Sequence, residues 1–466
     1  MNVVMTSVGS AGDVLPFIRI GAGLKARGHD VTMMSHCHYE PLAVRAGLDF
    51  VALDSIEEYR RFLEDGALLN TPFGIAEFIR RHSLSQIPVH VELVTQRCRP
   101  GETVLITRDM FDTAARIAAE KLGIPALWMF IAPSQLTTWK IRVDLFRDQL
   151  AAEINALRTQ IGLPPINDWE HWLGYPKFSI ALWPDWFAAP DPTWPAGVVP
   201  VGFANEGEAE SEPLPQEVRG ILDAGASPIL ITGGTGMYLT SDFFSVSSAA
   251  CQLLDRTAIL ITPHEKLLPA RLPQTVHWFK RLPLGQLMPY VGAVIHHGGI
   301  GTTACAIASG VPQLVLPHGA DRPDNARRLQ GLGIAEFQPL ARWHPDIVAG
   351  TLRRLLTSSV VRVRCEELAL RLGYSDALGA ACELVEKSWA NKSLSMDYSP
   401  ALTAANVAAP KAKAPLQEQN TDLLSTIPGG LSQERLELLA RLIGKKSAGA
   451  NLTPKIYNRR KNTGDT

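Results

Sequence analysis

The sequence predicts an α/β protein built from two doubly wound domains and an appendage that shares neither core. Three observations carry this. Short apolar runs deliver glycine-rich turns and then helical segments in both halves of the chain. The 466 residues, 46% of them apolar, suffice for two domains and an extra piece. From about Asn391 the composition shifts to Ala, Pro, Ser, Thr and Lys, which cannot bury a core.

In the first half, Asn2 to Ser7 reads as an apolar strand. It is followed by Val8-Gly9-Ser10-Ala11-Gly12-Asp13-Val14-Leu15-Pro16-Phe17, an amphipathic run to Gly28, and a second strand over Val31 to Met34. This is the β-loop-α-β opening of a doubly wound domain. The turn lacks G-x-G-x-x-G spacing and no acidic residue ends the second strand, which disfavours a dinucleotide-binding dehydrogenase. Asp13 has two readings: cap of a helix beginning near Val14, or a carboxylate presented to a ligand at the strand end. Thr103 to Ile106 is a further strand, leading to Asp109 in Thr107-Arg108-Asp109-Met110-Phe111-Asp112. Asp109 either tunes the site around Asp13 or caps the helix Thr113 to Leu122.

In the second half, Glu206 to Pro215 is a polar connection, and Pro228 to Thr232 is a strand ending in Gly233-Gly234-Thr235-Gly236. Thr235 either lies near an anion or belongs to an ordinary turn. Gly292 to Ile295 is a buried strand that delivers His296-His297-Gly298-Gly299-Ile300-Gly301-Thr302-Thr303 to its carboxyl end. A small-residue helix over Thr302 to Ser309 would point its first N–H groups back at the turn, a geometry that suits a diphosphate, with His297 in hydrogen-bonding reach. An isolated HHGG is commonly a plain strand-to-helix loop. The weight comes from the ordered combination with a second strand end. The run Gln313 to Leu316 ends at Pro317-His318-Gly319-Ala320-Asp321, placing His318, Asp321 and Arg322 beside the first strand end, where sugar hydroxyls could be held.

On these residues the chain resembles, over roughly residues 1 to 390, the inverting nucleotide-sugar glycosyltransferases of family 1. That family includes natural-product, sterol and rhamnolipid-type enzymes. The resemblance implies two Rossmann-like domains facing each other across a cleft, the GT-B architecture. Residues 1–205 would bind the acceptor, 216–365 the donor, and 366–390 would form a helix crossing back. It implies that Ser10, Gly12, Thr235, His297, Gly299, Gly301 and Thr302 lie along the donor diphosphate. Asp321, Arg322 and His318 would hold the sugar, and Arg281 with Leu282 the base. Asp13 falls on the catalytic base, with Asp109 as its partner, and attack opposite the leaving diphosphate inverts the anomeric centre. Domain closure would exclude water.

Two positions depart from the family pattern. Arg322 stands where glutamine is usual and offers only donors and a full charge, so the sugar's identity is not carried over. Arg281 stands where an aromatic platform is common; a guanidinium can stack on a base, and Trp278 or Phe279 is the displaced alternative. Ile75 to Pro100 and Trp128 to Trp194 should line the acceptor pocket. The tryptophans at 128, 139, 169, 172, 183, 186 and 194 mostly pack, yet their density tilts towards an apolar acceptor. The expected reaction moves a hexose from a UDP- or dTDP-sugar to a hydroxyl of an apolar natural product such as a lipopeptide or polyketide. A lipid or sterol acceptor, or a degenerate non-catalytic binding partner, are the alternatives.

A formal net charge of −1, from 45 basic and 46 acidic residues, gives no overall attraction to nucleic acid. Six cysteines without a C-x-x-C pair, no secretory leader and no apolar run near about 18 residues lead to the expectation of a cytoplasmic protein. No D-x-D triplet and no zinc-spaced cluster occurs, so neither metal nor cofactor is expected, the nucleotide sugar being a co-substrate. Residues 391–430 read as a flexible linker and 447–466 as a basic tail. Between them, 431–446 forms a short amphipathic helix similar to the L-S-x-E-x-x-x-L-L segment that precedes condensation domains of non-ribosomal peptide synthetases. It is either a docking element for an assembly-line protein or the remnant of a fusion.

Overall fold

A computed structural model describes residues 1–108, 112–174, 178–195, 197–204, 213–225, 227–235 and 239–390. The linker, amphipathic helix and basic tail expected beyond 390 lie outside the described residues, as does Asp109.

The first half forms a seven-stranded sheet: β1 (Asn2–Thr6), β2 (Asp30–Ser35), β3 (Asp49–Ala52), β4 (Thr103–Arg108), β5 (Ala126–Phe130), β6 (Ser179–Ala181) and β7 (Val198–Pro200), in the order β3-β2-β1-β4-β5-β6-β7. The second half forms a six-stranded sheet from β8 (Ile229–Thr232), β9 (Ala258–Ile261), β10 (Val276–Phe279), β11 (Ala293–His296), β12 (Gln313–Val315) and β13 (Ala335–Phe337), ordered β10-β9-β8-β11-β12-β13. Every pairing is parallel. Helices on both faces bury the central strands completely, which is why β1, β8 and β11 read as unbroken apolar runs. The expected α/β class with two Rossmann-type sheets is therefore what the chain adopts.

Strand order reverses between β1 and β4 in one sheet and between β8 and β11 in the other. The segments that follow these four strands hold Ser10 and, in the first turn of the next helix, Asp13; Asp112; Thr235; and His297 respectively. Ligands of doubly wound sheets bind at such switch points.

The crossing segment is two helices rather than one. Ser359–Gly373 ends at a break, and Ala377–Ala390 begins beyond Asp376, whose Oδ1 accepts the Gly379 N–H at 2.8 Å. The second of these packs on Ala11–Ala26 of the first domain. Cys382 Sγ meets the Ile20 carbonyl at 3.6 Å, and Glu386 takes Arg27 and His29 at 2.9 Å each.

The tryptophans read as mostly packed do sit mainly in the core: Trp128 and Trp183 are fully buried, and Trp139, Trp169, Trp172 and Trp194 nearly so. Trp128 and Trp172 sandwich the buried Arg116, whose guanidinium lies 4.4 and 5.3 Å from their ring centroids.

Candidate active site

The acidic side of the site is built at the end of β1. Ser10 is the N-cap of helix Ala11–Ala26, and Asp13 stands at its third position, so the residue read as a cap is instead the return arm of a capping box. Asp13 Oδ2 accepts the Ser10 N–H at 2.7 Å and the Ser10 hydroxyl at 2.9 Å. Its Oδ1 faces the Arg108 guanidinium at 2.8 Å. Arg108, the last residue of β4, also donates to the Val8 carbonyl at 2.9 Å. Gly9 has φ +143°, and a Cβ there would fall 2.4 Å from Asp13 Oδ2, so glycine is what lets the carboxylate fold back over the turn. Nothing lies within 4 Å of a Cβ built on Gly12. Helix Thr113–Leu122 takes its cap from Asp112, which accepts from Ala115 N–H at 3.3 Å.

The opposing side forms at the ends of β8, β11 and β12. Helix Ile300–Ala308 starts two residues earlier than its small-residue run indicated, with Gly299 as N-cap, so Gly301 and Thr302 lie in its first turn. Gly298, at φ +91°, turns the chain where a Cβ would be 3.0 Å from the Arg322 carbonyl. His297 is buried between glycines: a Cβ on Gly234 would come within 2.8 Å of its ring and one on Gly299 within 2.5 Å. Burial, then the Arg322 charge and His296, hold its pKa well below the ordinary value, and its Nδ1 has no hydrogen-bond partner among the described residues. A neutral imidazole with an unused buried nitrogen is poised for a ligand.

Arg322 is buried, donating from Nη1 to the His318 carbonyl at 2.6 Å. Asp321 precedes helix Arg322–Gly331, and Asn325, one turn on, donates to both the Asp321 carboxylate (2.8 Å) and the Gly298 carbonyl (2.9 Å). Burial raises the Asp321 pKa; Arg322 opposes this, and Asp13 adds to it. That last effect is an influence of one domain's carboxylate on the other's. Arg281, exposed after β10, likewise reaches the first domain, where after partial burial it is the next influence lowering His38. Leu282 turns its side chain into the core with Leu287 and Met288. Thr235 is exposed, its carbonyl 3.1 Å from His264 Nε2.

The structure brings Asp13 to Ser10 and Arg108, His297 to Gly234 and Gly299, and Arg322 to His318; Asp109 is outside the described residues, and the Leu282 side chain points into the core. Two members were missed. Asn325 was legible as a polar residue one helical turn after Asp321. Arg108 was not, because only the parallel pairing of β1 with β4 brings it to Asp13. Among the described residues no group of three or more His, Cys, Asp or Glu side chains is arranged to hold a metal ion.

Comparison with known proteins gives the same two halves. Residues 3–140 match the model of the glycosyltransferase family 28 N-terminal domain, and residues 248–372 that of the erythromycin biosynthesis protein CIII-like C-terminal domain. The chain is 28% identical to O-mycaminosyltylonolide 6-deoxyallosyltransferase of Streptomyces fradiae, over 84% of this chain and 98% of that one. It is 25% identical to vancomycin aglycone glucosyltransferase of Amycolatopsis orientalis, over 77% and 90% of the two chains. Among solved structures, spinosyn forosaminyltransferase SpnP superposes with a TM-score of 0.65 at 20% identity, covering 84% of this chain and 99% of that one. Glycosyltransferase VinC in complex with dTDP does so with 0.60 at 22% identity, covering 84% and 100%.

Proposed function

We propose that this chain, which belongs to the family of GT-B nucleotide-sugar glycosyltransferases, moves a hexose from a dTDP- or UDP-sugar to a hydroxyl of a natural product, with inversion. The observation that carries the reading is the meeting of two switch points. The Asp13–Arg108 pair stands on one, and neutral His297 with buried Arg322 and the N-terminus of helix Ile300–Ala308 on the other. The relatives named above, which act on O-mycaminosyltylonolide and the vancomycin aglycone, and the solved relative with bound dTDP support the acceptor class and favour a thymidine nucleotide.

In this reading residues 1–205 present the acceptor and 216–365 the donor. The diphosphate lies at the N–H groups of Ile300, Gly301 and Thr302, where the helix end and Arg322 offset the charge that grows on the leaving group. His297 stays uncharged and gives its single N–H, drawn to the Thr232 carbonyl in the free protein, to the diphosphate. Asp321 and His318 hold sugar hydroxyls. Asp13 takes the proton of the acceptor hydroxyl while that oxygen attacks the anomeric carbon from the face opposite the diphosphate. Any carboxylate is a weak base towards an alcohol, so transfer comes late, once the forming C–O bond has made the hydroxyl acidic.

The test is Asp13→Asn. The predicted outcome is a fall in kcat of about 10² to 10⁴ with dTDP affinity retained; full turnover in that variant would remove Asp13 from the chemistry.

A further inference from the structure

A cavity of about 420 Å³ opens in the first domain between the Val8 end of the β1 loop and the start of helix Thr113–Leu122. Its size suits a small molecule, and polar or charged residues make up most of its lining. Apolar side chains are confined to Val8, Leu53, Phe62 and Ala114, and no tryptophan reaches it.

The charges on this wall are largely spent on one another. His36 Nδ1 meets Asp54 Oδ2 at 2.6 Å, and Asp54 Oδ1 accepts the Cys37 N–H at 2.8 Å. Asp65 takes His82 at 2.9 Å and Arg81 at 3.3 Å, and Glu58 closes a capping box with Ser55. A carboxylate only accepts, so His36 donates through Nδ1, which leaves Nε2 for another partner. That nitrogen is buried without a partner among the described residues, in a side chain 5% exposed. The exposed Arg61 makes no ion pair among the described residues. Phe62 lines the cavity beside these donors and acceptors, stacked on Tyr59 at 6.5 Å.

Interleaved hydrogen-bond donors and acceptors next to an aromatic face match a pyranose, whose adjacent hydroxyls bridge such groups while its C–H face rests on the ring. We propose that this cavity holds a sugar or similarly polyhydroxylated part of the acceptor, gripped through His36 and Asp54, so that the enzyme works on a compound already glycosylated. This rests on the transferase reading above, and it requires an earlier glycosyl transfer to supply the acceptor.

Calorimetry on the full chain tests it with octyl β-D-glucoside and 1-octanol as probes, below the glucoside's micelle concentration. The glucoside is expected to bind at least tenfold more tightly than the alcohol. Both His36→Asn and Arg61→Ala should weaken it at least fivefold while dTDP binding stays unchanged; Arg61 is exposed, so its variant folds regardless of what happens to the first. Equal affinity for the two probes, or wild-type glucoside binding in both variants, overturns the proposal alone. Failure of the wild type to bind dTDP overturns the transferase reading and this one with it.

Discussion

His296 and His297 close β11 side by side, and burial depresses both, His296 to about 4. The unfolded chain protonates these rings near pH 6.5 while the folded chain does not, so stability present above pH 6.5 is lost as pH falls towards 4. The His296 difference alone corresponds to about 3 kcal/mol. In urea unfolding across pH 4 to 7, His296→Gln should therefore show a shallower loss of stability than the wild type, whatever its absolute stability; parallel profiles would mean that the ring is not held neutral. At this scale the glycine-flanked His297 turn was legible, because His297, Gly299 and Thr302 lie within one short segment. The Asp13 pairing was not: the capping box could be read from Ser10 and Asp13, but Arg108 is remote in sequence and arrives through sheet order.

Elements were legible to within a residue or two wherever an apolar run met a glycine. The helix read across 366–389 was not, because its periodicity continues through the break, while the stop is signalled by Gly373 and the restart by Asp376 three residues before Gly379. Packing between elements was hidden as well. Glu120, on helix Thr113–Leu122, takes Arg158 through both oxygens at 2.6 and 2.7 Å and Trp172 Nε1 at 2.8 Å, joining three helices at a place where Arg158 is 2% exposed. Removing the carboxylate leaves a buried guanidinium without its counter-charge. Glu120→Ala should lower unfolding free energy by about 3 to 5 kcal/mol in denaturant titration. A loss below about 1 kcal/mol would show that Arg158 reaches water instead.

Across the whole molecule, the two sheets share one strand order, and each carries its proposed site residues at its switch point. The sequence motifs name the loops, but the order β3-β2-β1-β4 and its counterpart β10-β9-β8-β11 is what gathers loops far apart in the chain. The helix Ala377–Ala390, laid on Ala11–Ala26 and held by Glu386, returns the chain from the second sheet's half to the first. The most direct test of the donor site is isothermal titration of dTDP and UDP into the wild type and His297→Ala. Binding of a nucleoside diphosphate that weakens at least tenfold in the variant, about 1.5 kcal/mol or more for a lost hydrogen bond to a charged group, is the predicted result. Wild-type protein that binds neither nucleotide, or a variant that binds as tightly as the wild type, would contradict the assignment of the β11 loop as the donor diphosphate site.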